Sequence, residues 1–85
     1  MRIFISKKDI KEGRAYSCER CPVSRALRRR LKAIKNRDYE VEVGKDTYRI
    51  DGVSRPLPPK AREFVRLYDN DRVWATPRCI DFPDH

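Results

Sequence analysis

Histidine is nearly missing from this chain: its single copy, His85, is the last residue. No internal histidine can serve as a general base, and no pair of histidines stands at metal-binding spacing. Glycine numbers only 3, and neither a Gly-rich phosphate loop nor a G-x-S-x-G nucleophile turn is present. Together these absences point away from an enzyme. No apolar run approaches the roughly 18 residues of a membrane span, and the opening Met1 to Ser6 is too short for a secretory signal. A soluble, cytoplasmic protein with no membrane partner is expected. Three cysteines, an odd count, do not suit a secreted disulfide framework and fit a reducing compartment.

What the chain has in excess is positive charge, and it is unevenly placed. Residues 1–37 carry 13 cations and 3 anions, whereas residues 38–85 carry 8 and 10, so the halves stand at +10 and −2 within a net charge of +8. Such an imbalance calls for an anionic ligand: a phosphate-bearing small molecule, a nucleic acid or an acidic protein. It also suits a homo-oligomer in which the basic half of one subunit covers the acidic half of another. At 85 residues the chain has room for one domain, 1–85, with a modest core. Apolar residues make up 39%, too many for a disordered basic tail.

Along the chain, Met1 to Ile5 alternates Met1, Ile3 and Ile5 against Arg2, with Phe4 as the exception, and reads as a strand. Ser6 followed by Asp9 resembles a capping box with Asp in place of Glu, opening a short helix that Gly13 closes. After a loop over Arg14 to Ser17, either Ser17 or Cys21 can cap the main helix, with Pro22 in its first turn. Tyr39, Val41 and Val43 then alternate with Glu40 and Glu42, Gly44 to Asp46 supply a turn, and Thr47 to Val53 returns, making a hairpin. Ser54 to Pro59 reads as an extended linker into a second helix, whose buried stripe is Ala61, Phe64, Val65 and Tyr68 and whose left-handed cap is Asn70. Val73 to Ala75 and Cys79 to Phe82 read as short strands. The order β-α-β-β-α-β implies an α+β fold, with two helices on one face of a three- to four-stranded, mostly antiparallel sheet.

The main helix carries the charge. Stepping 100° per residue, Val23, Leu27, Leu31 and Ile34 fall within an arc of about 80°, opposite Arg25, Arg28, Arg29, Lys32 and Lys35. Arg30 and Arg37 fall beside the apolar stripe, at the rim of the core, where a desolvated guanidinium needs a carboxylate or a phosphate. These seven residues are the candidate ligand-binding set. No helix-turn-helix or zinc-finger spacing accompanies them, so any nucleic-acid contact is expected through the backbone.

Cys18 and Cys21 have metal-ligand or dithiol spacing. A zinc site would need Cys79 and His85 as its other ligands, and the expectation is that no cofactor is bound. In the dithiol reading, the helix start and Arg20 favour thiolates, but the proline follows the pair rather than lying inside it. A zinc-containing or dithiol module, structural or redox, is the alternative function. The plain alternative is thiols packed at the entry to a helix.

Three stretches also carry a resemblance: the first strand leading to Asp9 and Ile10; Ser17-Cys18-Glu19-Arg20-Cys21-Pro22-Val23 with Ala26 and Leu27; and Leu57-Pro58 followed by Ala61, Phe64 and Asp69. In these the chain resembles a group of small uncharacterised bacteriophage and prophage proteins. Such proteins tend to end in Pro-Phe-x-Phe, where this chain has Pro77-Arg78-Cys79-Ile80. The resemblance implies a host-cell cytoplasmic setting and a binding protein, such as a host-defence antagonist that engages a nucleotide signal, a nucleic acid or an acidic host protein.

Overall fold

The computed structural model describes residues 1–70 and 75–84. Its elements are β1 (Arg2–Ile5), α1 (Lys7–Glu12), α2 (Pro22–Lys35), β2 (Val41–Val43), β3 (Thr47–Ile50), β4 (Val53–Pro56), α3 (Pro59–Asn70) and β5 (Arg78–Asp81). The α+β class and the element order are as expected. The strands, however, form two antiparallel sheets rather than one, β1-β5 and β2-β3-β4.

The extra strand arises at Asp51-Gly52. Both residues are left-handed, at φ 48° and 84°, which is the two-residue hairpin turn whose twist matches the flanking strands. The expected single strand over 47–53 therefore folds back, and part of the expected linker becomes β4, paired Ile50 to Val53 and Thr47 to Pro56. All four β4 residues are exposed, and Pro56 ends it, as suits an edge. The other hairpin is as read, with Glu42 opposite Arg49 and their charged groups 3.5 Å apart.

β5 returns to lie against β1, with Ile3 opposite Ile80. The chain start is tied to it: the Met1 ammonium donates to the Phe82 carbonyl at 2.7 Å, and Phe82 N–H donates back to Met1 at 2.7 Å. An isolated two-stranded ribbon is marginal in water. Here its apolar face, Ile3, Ile5 and Ile80, is buried with Val23, Leu27 and Leu31 of α2 and the α3 stripe Ala61, Phe64, Val65 and Tyr68. The Phe82 and Tyr48 rings meet edge to face at 5.1 Å, joining the two sheets.

The local signals at α1 and α2 are as the sequence implies. Ser6 and Asp9 exchange hydrogen bonds as a capping box, and Cys21 caps α2 with Pro22 in the first turn. Gly13 ends α1 in an extended conformation, not a left-handed one. Glycine is needed there because a Cβ would stand 2.6 Å from the Asp9 carbonyl and 2.9 Å from Pro22 Cδ. The left-handed helix cap belongs to Asn36, at φ 55°; Asn70 is the last residue of α3, is not left-handed, and donates its amide to the Arg66 carbonyl. Ile34, expected in the core, is 46% exposed because the last turn of α2 runs beyond it. Of the strand expected at Val73 to Ala75, all but Ala75 lies outside the described residues, and Ala75 is buried outside any strand.

Candidate functional site

Asp9, read from sequence as a cap, is fully buried and organises the basic helix around itself. Its Oδ2 accepts from Ser6 N–H at 2.9 Å. Arg29 grips both carboxylate oxygens, at 2.8 and 2.7 Å, and also donates to the Phe4 carbonyl at 2.7 Å. Arg25 adds a longer contact at 3.4 Å and approaches Glu12 at 3.9 Å. Burial alone would push this carboxyl up, but the hydrogen bonds from Arg29 and Ser6 outweigh it and hold the group at about 2. Arg25 and Arg29, expected to face open water, instead lean onto α1. The reason is electrostatic: a carboxylate without solvent takes its counter-charge from the nearest guanidinium groups.

The rest of the predicted set divides in the same way. Arg28 donates to the Val41 carbonyl at 3.4 Å and borders a cleft with Glu19, Glu40 and Glu42. Lys32 pairs with exposed Asp38 at 3.5 Å. Arg37, expected at the rim of the core, is exposed, but it reaches Asp51 at 2.6 Å and covers the Tyr39 ring at 3.7 Å. Arg30, also expected at the rim of the core, is exposed although Leu31 beside it is fully buried, and it borders a cleft with Arg2, Phe4 and Ala33. Among the described residues, Arg28, Arg30 and Lys35 of the seven make no ion pair.

The cysteines do not act as one unit. Cys18 is exposed, and its carbonyl accepts from Val43 N–H of β2 at 2.8 Å. Cys21 is buried, its sulfur accepting from Ser24 N–H at 3.4 Å, and burial pushes its thiol up. Cys79 lies on β5 opposite Phe4. No three Cys, His, Asp or Glu residues gather as a metal site among the described residues, and His85 lies outside them.

A second region, which the sequence reading passed over, lies on the exposed side of α3. There a cleft of about 620 Å³ opens between α3, the 44–46 turn and the loop before α2. Val65 and Pro59 provide apolar lining, while Lys45, Arg62 and Arg66 bring three cations. Arg62 and Arg66 stand one helical turn apart on one face. Among the described residues none of the three makes an ion pair.

Tyr16 forms one wall, 77% exposed and in the left-handed region at φ 59°. A non-glycine residue persists there only where neighbouring contacts fix it. Its N–H donates to Asp69 Oδ1 at 3.0 Å, and the loop is closed around it by Arg14 N–H to the Arg20 carbonyl at 2.8 Å. The signals in the sequence were faint: two arginines four apart on the outer face of α3, and a tyrosine in the loop after Gly13.

In comparisons with known proteins, the chain matches no family, no curated protein and no solved structure. The architecture defines its class: a small α+β domain with, among the described residues, three helices and two antiparallel sheets.

Proposed function

We propose that this is a non-catalytic binding protein whose partner is an anion bearing phosphate or carboxylate groups. The observation that supports this most is the set of cations left over after the fold has used its own. Asp9 and Asp51 engage Arg25, Arg29 and Arg37, yet Arg30, Lys35, Lys45, Arg62 and Arg66 have no ion-pair partner among the described residues. With a net +8, the field of the whole domain draws anions, and these cations are free to meet them. In the setting implied by the resemblance to phage proteins, such binding would sequester a host signal or cover a host surface.

The test is direct. Protein purified at low salt is expected to carry a phosphate-bearing compound, seen as excess absorbance at 260 nm and identified by mass after release. Calorimetric titration with that compound should weaken as salt rises. Protein that elutes free of any such compound, and that binds neither pyrophosphate nor an acidic peptide at low salt, would refute the reading.

A further inference from the structure

The cleft on α3 contains more than cations, and its other groups narrow the class of ligand. We infer that it holds a nucleotide unit, its base against Tyr16 and its phosphate against Arg62, Arg66 and Lys45; this rests on the anion-binding reading above and makes it specific.

Size is the first consideration. A cleft of about 620 Å³ falls within the range of small-molecule sites, whereas a bare phosphate would leave most of it empty. The second is Tyr16. A tyrosine 77% exposed contributes little to the core, and its left-handed backbone is a further cost that the fold sustains. The Asp69 carboxylate and the loop hydrogen bonds hold the residue in that conformation at the cleft wall. A planar base stacking there would cover the exposed ring face, a contact that tolerates any base.

The third consideration is the arrangement of charge. Lys45, Arg62 and Arg66 suit phosphate oxygens, and an arginine can grip two of them at once. Carboxylates share the lining, however: Asp46, Glu63 and Asp69 match the three cations in number, and none of them makes an ion pair among the described residues. A purely anionic ligand would be repelled by them. A nucleotide would not, because the exocyclic amino groups of adenine, guanine and cytosine donate hydrogen bonds that a carboxylate accepts. Aromatic wall, cations and carboxylate acceptors together match the three parts of one molecule. The same chemistry is offered by a free nucleotide and by one residue of a single strand.

Calorimetry on the full chain separates these cases, using AMP, GMP, CMP and UMP, then ribose 5-phosphate, pyrophosphate and a ten-residue single-stranded oligonucleotide as probes. At least one amino-bearing nucleotide should bind tenfold or more tighter than ribose 5-phosphate, with UMP weaker. Tyr16→Asn keeps a residue type that tolerates the left-handed backbone, so it should fold. It should lose about tenfold or more for the nucleotide, as expected for one stacked base, and leave pyrophosphate binding unchanged. Arg66→Ala should weaken both probes alike. An oligonucleotide that outcompetes every mononucleotide, with the same Tyr16 dependence, supports the inference with a strand as the source. If pyrophosphate and ribose 5-phosphate bind as well as any nucleotide, or Tyr16→Asn changes nothing, the nucleotide assignment fails while the anion-binding reading stands. If no phosphate probe binds at all, the nucleotide assignment falls with the phosphate form of that reading, and an acidic peptide remains its only ligand.

Discussion

The arginines of α2 and those of α3 look alike in sequence and lead different lives in the fold. On α2, Arg25 and Arg29 converge on Asp9, a carboxylate with no access to solvent. On α3, Arg62 and Arg66 border an open cleft, and among the described residues neither has a carboxylate within ion-pair distance. The denser cluster is thus the more occupied one. What separates a structural cation from an available one is whether a buried anion lies within reach, and helical periodicity does not report that.

The largest expected effect is on the occupied side. Arg29→Ala strips a buried carboxylate of its bidentate partner, and breaking such a pair costs roughly 3 kcal/mol in stability. Arg30→Ala, one residue on but exposed and without an ion-pair partner among the described residues, should stay within about 0.5 kcal/mol. Urea denaturation of both variants makes the measurement, and equal losses would erase the distinction between them.

Acid should reveal the same cluster. Asp9 is held at about 2 against an ordinary 3.8, so its folded form is the stronger acid. The stabilisation is fully present above about pH 4 and is lost as pH falls towards 2, amounting to about 2 kcal/mol. Asp9→Asn should lose that part of the pH dependence. Urea midpoints for the two proteins between pH 5 and pH 2 check it, and parallel curves would place the acid sensitivity elsewhere.

A smaller effect is expected at Tyr68, which ties α3 to the end of α1. Its hydroxyl lies 2.9 Å from the Ile10 carbonyl and 2.8 Å from that of Gly13. Tyr68→Phe should cost about 1 to 2 kcal/mol by removing this donor from two largely buried acceptors. Thermal denaturation would show it as a lowered midpoint.

On the cleft side only a small stability change is expected. At Tyr16 the native φ of 59° disfavours a tyrosine, so Tyr16→Asn should be neutral or stabilising by up to about 1 kcal/mol. A clear loss of stability would show that the ring supports the fold, and the contrast between the two regions would narrow.

Much of the scaffold was legible. The Ser6–Asp9 capping box, Pro22 at the start of α2, the α3 stripe and the Glu42–Arg49 pairing follow from patterns that operate over a few residues. The third strand was legible in principle, since Asp51-Gly52 is a strong turn signal, but Pro56, Pro58 and Pro59 drew the reading towards a linker. The site was much less so. Asp9 and Arg29 are 20 residues apart, and only the packing of α1 on α2 brings them to 2.7 Å. Likewise Tyr16 meets Asp69 across 53 residues, and nothing in the local sequence announces that contact.

One paired experiment tests the central distinction most directly: urea stability and AMP or GMP affinity, measured together for Arg29→Ala and Arg66→Ala. The account predicts opposite outcomes. Arg29→Ala should lose stability and, under conditions where it is folded, bind as the parent does, whereas Arg66→Ala should keep its stability and lose most of its affinity. If Arg29→Ala abolishes binding while remaining folded, and Arg66→Ala binds normally, the basic helix α2 is the ligand surface and the roles of the two helices are reversed.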